Sequence, residues 1–72
     1  MVVINSGIMQ NQIIKIVEGC KDYKYTYVKK NGIKLYFDVD TDEEEKAAAA
    51  AKKAIKDDSI GKTLLISVKV EK

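Results

Sequence analysis

Tyr25-Thr26-Tyr27-Val28-Lys29-Lys30-Asn31-Gly32-Ile33-Lys34-Leu35-Tyr36-Phe37-Asp38-Val39 is a pair of alternating runs joined by Asn31-Gly32. Asn-Gly between such runs is a strong hairpin signal, because a type I′ turn requires φ > 0 at both central residues. A turn centred on Asn31-Gly32 sets Val28 against Leu35, Tyr27 against Tyr36, Thr26 against Phe37 and Tyr25 against Asp38. Side chains alternate across a strand, so this register sorts the hairpin into two unlike faces. One face holds Val28, Ile33, Leu35, Phe37 and Val39. The other holds Tyr23, Tyr25, Tyr27 and Tyr36, with Lys29, Lys34, Asp38 and Asp40 among them. All four tyrosines of the chain are thus expected on one side of one hairpin.

Outward from the hairpin, residues 2–4 form a short apolar strand and residues 5–12 read as a polar loop containing Gly7. Residues 13–18 carry β-branched side chains at Ile13, Ile14, Ile16 and Val17, a run read as a strand buried on both faces. Downstream, Thr41-Asp42-Glu43-Glu44 reads as a capping box, with Thr41 as N-cap and Glu44 at the third helical position. Four carboxylates at 42–45 favour the positive end of that helix, and Lys52, Lys53 and Lys56 favour its negative end. Ala47, Ala51, Ala54 and Ile55 share one helical face, with Glu45, Lys52 and Lys56 opposite. A face of alanines lets a helix lie close to a sheet while contributing little apolar area. Gly61 and its neighbours end the helix, and residues 63–70 form a last strand. There Leu64, Ile66, Val68 and Val70 share one face. That strand pairs with either 33–40 or 2–4.

The reading is a single α+β domain over residues 1–72. Its mostly antiparallel sheet has four or five strands, with one helix packed on one face, in β-β-β-β-α-β order. A chain of 72 residues only just outweighs its own conformational entropy. Cys20 is the lone cysteine and histidine is absent, so neither an internal disulfide nor a zinc site of the usual kind is available to brace it. Oligomerisation is the aid left open.

Net charge is +2, and all 13 basic residues are lysine. Six lysines stand against Glu18 and Asp22 before residue 38, whereas residues 38–58 are acidic, so the chain is dipolar rather than uniformly basic. Arginine, which supplies the bidentate fork for phosphate and guanine, is missing. The lone cysteine and an apolar start without a basic flank point to a cytoplasmic setting, and no stretch is long enough to span a bilayer.

Asp38, Asp40 and Asp42 have the spacing of a calcium loop, but Glu43 and Ala49 stand where that loop needs glycine and glutamate. Strand end and helix capping account for these acids without a metal. Cys20 beside Lys21 has some features of a reactive thiol but lacks a base and a resolving cysteine. With no histidine, no phosphate loop and no cofactor motif, the chain reads as a non-enzyme without cofactor or metal.

What is left is the tyrosine face. Tyr23, Tyr25, Tyr27 and Tyr36, with Lys29 and Lys34, are the candidate binding residues. The leading expectation is a protein-interaction module that self-associates, as a homodimer, or docks a protein partner through this face. The alternative is a single-stranded nucleic-acid binder that stacks bases on the same rings. A third, more distant, is a small-ligand carrier or thiol enzyme centred on Cys20. No membrane contact is expected. The plain alternative is that tyrosine has high strand propensity and pairs well across strands.

Overall fold

The computed structural model of the chain describes residues 1–59, 61 and 65–71. The elements run β1 (Val2–Asn5), α1 (Gln10–Glu18), β2 (Tyr25–Asn31), β3 (Lys34–Val39), α2 (Glu44–Asp57) and β4 (Ser67–Val70). The four strands form one sheet in the order β2-β3-β1-β4, and every neighbouring pair is antiparallel. In this α+β arrangement β3 lies between β1 and β2, which α1 connects, and β1 lies between β3 and β4, which α2 connects. It is the split β-α-β plan. The expected β-β-β-β-α-β order with one helix gives way to β-α-β-β-α-β with two. Among the described residues no helix is long and apolar enough to cross a membrane.

The second helix comes from the run read as a strand. Ile13 and Val17 are four residues apart and both fully buried, which is the helical spacing. Ile14 and Ile16 pack against the core from its flanks. A short β-branched run fits either period, and here the tertiary setting decided for helix. Gly19 closes α1 by donating its N–H to the Lys15 carbonyl at 2.9 Å, and Cys20 donates to Val17 at 3.1 Å. Met9, just before α1, is left-handed with φ 56°. The 5–12 loop shrinks to residues 6–9. Gln10 ties it to the hairpin turn, donating from Nε2 to the carbonyls of Ser6 (2.9 Å) and Gly32 (3.1 Å).

The start of α2 also departs from the capping box. Its N-cap is Glu43, and the Thr41 hydroxyl accepts the Glu43 N–H at 3.1 Å, a local turn ahead of the helix. The alanine face is as expected in kind, with Ala47, Ala48, Ala51 and Ile55 buried. β4 pairs with β1, matching Val2 to Val70 and Ile4 to Val68. Of the expected 63–70 strand, residues 63 and 64 lie outside the described residues.

One core joins both helices to one sheet face: Val2, Ile4, Leu35, Phe37 and Tyr25 from the sheet, Ile13 and Val17 from α1, Ala47, Ala51 and Ile55 from α2. Both helices therefore cover the same side. The other side of the sheet has no element over it among the described residues.

Candidate interaction surface

The hairpin turn decides what lies on that open side. Asn31 pairs with Lys34, so the two turn residues are Gly32 and Ile33. Only Gly32 has a positive φ there, 63°, which suits a II′ turn with glycine first rather than the I′ turn expected of Asn-Gly. Lys30 then pairs with Leu35 and Lys29 with Tyr36. Next comes a register shift: Tyr27 pairs with Phe37, and Val28 is the extra residue of a bulge.

The bulge corrects the face assignment. An unbroken ladder from this turn would keep Tyr25 and Tyr27 on the open side with Tyr36. One extra residue reverses everything beyond it, since the side-chain period is two. Tyr25 and Tyr27 therefore point toward the helices, and the four tyrosines do not share a face.

Beneath the helices, Tyr25 is only 4% exposed and its hydroxyl donates to the Ala47 carbonyl of α2. Burial pushes that hydroxyl's pKa up to about 12, with the nearby Cys20, Tyr23 and Asp22 adding to the shift. Tyr23 meets Tyr25 edge-on at 6.4 Å, and Tyr27 leans on Phe37 at 5.7 Å. These three rings are part of the core or its border.

The open face follows from the registers. Its middle row reads Lys29, Tyr36, Val3, Lys69 across the four strands. Toward one end lie Asn31, Lys34, Asn5 and Ser67, and toward the other Thr26, Asp38, Met1 and Glu71. Lys29 Nζ sits 5.0 Å from the centre of the Tyr36 ring, within cation–π range. Val3 is 1% exposed although no helix covers it, because its cross-strand neighbours Tyr36 and Lys69 flank it. Val28, extruded by the bulge, borders a shallow depression with Met1, Lys29, Tyr36 and Glu71. Three lysines against Asp38 and Glu71 give the face a small positive excess.

Of the six residues singled out from the sequence, the structure brings together Tyr36, Lys29 and Lys34, and sets Tyr23, Tyr25 and Tyr27 apart. Val3 and Lys69 join the group; the sequence signal for them was only the alternation of two strands whose partners were open. The segments that leave the sheet beyond Asn31, Lys34, Asn5 and Ser67 carry exposed aliphatic side chains. Ile8, Ile33 and Leu65 are 64%, 56% and 96% exposed, and Ser6 N–H donates to the Ile33 carbonyl at 2.8 Å, drawing the loop and turn together.

The acidic run is divided by the fold. Asp38 is on the open face, Glu43 pairs with Lys46 at 2.7 Å, and Glu44 with the Met1 amino group at 2.6 Å. Among the described residues no three acidic, cysteine or histidine side chains gather as a metal site would require. Cys20 is half-buried just past α1. In comparisons with protein families, curated proteins and solved structures, the chain matches none.

Proposed function

We propose that the chain is a non-enzymatic interaction module that docks a protein partner through the open sheet face and its apolar end. The observation that carries this reading is the exposure of Ile8, Ile33 and Leu65 beside an uncovered face centred on Tyr36. Exposed aliphatic side chains gathered at one end of a small domain are characteristic of protein contact. Tyr36 supplies the amphipathic ring that such interfaces favour, and Lys29, Lys34 and Lys69 form a charged border. Tyr25, whose hydroxyl pKa burial pushes up to about 12, anchors β2 to α2.

A second reading has its own support. Tyr36 lies on an inner strand of an open antiparallel sheet with three lysines around it, the minimum for stacking a base beside a phosphate. One experiment separates the two. Wild type and a Tyr36→Ser/Ile33→Ser variant are compared for protein capture and for binding a fluorescent single-stranded oligonucleotide. Both are run from about 50 to about 200 mM salt, with circular dichroism verifying the fold. Salt-tolerant protein capture lost in the variant supports docking, because apolar burial is not screened. Salt-sensitive oligonucleotide binding lost in the variant supports the second reading. If neither activity depends on these residues, both are refuted.

A further inference from the structure

The two edges of the sheet are not equally protected. On the β2 edge, the Val28 bulge breaks the strand, Lys29 and Lys30 stand beside it, and Glu18 Oε2 accepts the Tyr27 N–H at 3.3 Å. These are the usual devices that stop an edge from pairing. The β4 edge has a regular register with β1 and no bulge. Beside it runs a groove between β4 and α2, lined by Val68, Lys69 and Val70 from the strand and Glu45, Ala48, Ala49 and Lys52 from the helix.

The helix residues of that groove are arranged symmetrically. Glu45 and Lys52 are seven residues, two turns, apart on one flank, with Ala48 and Ala49 midway between them. Both charges are exposed, and among the described residues neither makes an ion pair. If an identical helix lies antiparallel against this flank about a twofold axis at Ala48–Ala49, each Glu45 meets the other copy's Lys52. The alanines allow the two backbones to approach.

The same axis suits the strand. Val68, Lys69 and Val70 line the same groove as Glu45, Ala48, Ala49 and Lys52, so an axis through the middle of both sets passes near Lys69. Antiparallel pairing of β4 with its copy then sets Val68 against Val70 on the helix side. On the open side Lys69 faces Lys69, with Glu71 of the opposite copy diagonal to each, which offsets the repulsion. α2 packs over both β4 and β1, so two copies would sit about one helix spacing apart, roughly 8–10 Å.

We propose that this chain forms a homodimer by pairing β4 edge to edge, with the α2 helices antiparallel and Glu45 bonded to Lys52 across the twofold axis. The result is a continuous eight-stranded sheet, and the occupant of the groove is a second copy because the charge pattern is complementary to itself. The contact is short: four strand residues span about 13 Å and Glu45 to Lys52 about 10 Å. A contact this short places the dimer among weak, transient associations, so its test extends to high protein concentration.

The test is sedimentation velocity over about 10 μM to about 1 mM protein, a range that reaches weak association. Wild type is expected to pass from monomer to dimer. Glu45→Lys and Lys52→Glu singly should each raise the dissociation constant about tenfold or more, since each sets like charges together at two places. The double reversal, Glu45→Lys with Lys52→Glu, should return it to within about threefold of wild type. Both positions are exposed, and circular dichroism checks that each variant is folded. A wild type monomeric throughout overturns the proposal, and so do single reversals without effect or a double reversal without rescue. The outcome is independent of the docking face: Tyr36→Ser/Ile33→Ser should leave the dimer intact, and the charge reversals should leave any Tyr36-dependent binding intact.

Discussion

Deleting Val28 should leave the protein folded and nearly as stable as wild type. Val28 is the extra residue of the bulge, so without it Lys29 still pairs with Tyr36 and Tyr27 with Phe37, now in an unbroken ladder. Tyr25 and Tyr27 keep their places under the helices. The loss is the burial of roughly half a valine, 44% exposed, at about 1 kcal/mol. One ordered backbone residue fewer offsets this by about 1–2 kcal/mol. The net change should lie within about 1 kcal/mol of wild type, measured by urea unfolding followed by circular dichroism. Deleting Thr26 is the control. With the bulge kept, Tyr25 turns to the open side; with the bulge lost, Tyr27 does. Either way one tyrosine leaves the core, at about 1.5–3 kcal/mol, a large share of the total stability of so small a domain. If the Val28 deletion unfolds the protein while the Thr26 deletion is neutral, the bulge and the face assignment built on it are refuted.

Two further outcomes test the core. Tyr25→Phe keeps the ring but loses the bond to the Ala47 carbonyl and should cost about 0.5–1.5 kcal/mol at neutral pH. Because the native hydroxyl is held near 12 against an ordinary 10, the unfolded chain ionises first. Wild-type stability is therefore intact below pH 10 and falls by about 2–3 kcal/mol through pH 10 to 12, more than the gap at neutral pH, so the gap between wild type and Tyr25→Phe should close and then reverse across that window in thermal melts. A gap that does not change with pH would mean Tyr25 is not buried as described. Ala51→Leu places a larger side chain where the alanine is fully buried against the sheet and should cost about 1–3 kcal/mol in urea unfolding, and a neutral result would contradict the close packing of α2.

Much of the architecture was legible in the chain, and the failures have physical causes. The hairpin, the alanine-faced helix and an antiparallel α+β sheet follow from alternation, from glycine at the turn and from helical spacing of the alanines. Residues 13–18, expected as a strand, are helical, because Ile and Val favour strands only when judged alone. Their burial as Ile13 and Val17 on one helix flank depends on a sheet that local sequence does not show. The turn shifted by one because Asn31 takes the last ladder position and Gly32 alone supplies the positive φ. The candidate site suffered most. Its membership hung on the parity of β2, which a single extruded residue reverses, and a bulge has no sequence signature comparable to a turn's. Tyr36, Lys29 and Lys34 survived as a group because they lie between the turn and the bulge, or on the unbulged strand.

The bulge also answers a need of the core. α2 offers Ala47, Ala48 and Ala51 to the sheet, a face with little volume of its own. α2 lies over β4 and β1, so the space between its alanine face and β2 must be filled by side chains reaching across from that strand, and the unbulged ladder would offer only Thr26 and Val28. Turning β2 over past Val28 brings Tyr25 and Tyr27 inward instead, filling the space beside Phe37 and reaching a carbonyl of the helix. The alanines of α2 and the large rings of β2 and β3 interlock in one core, alongside Ile13, Val17 and Ile55. The exchange strips the open side of two aromatic rings and leaves one tyrosine among lysines. Slipping β2 back to restore an aromatic face would empty the core, so the surface offered to a partner is bound to the packing beneath it. A partner docking on this face, as proposed, would therefore meet Tyr36, its lysine border and the exposed aliphatic side chains rather than a row of tyrosines, because turning another tyrosine outward costs about 1.5–3 kcal/mol of core burial.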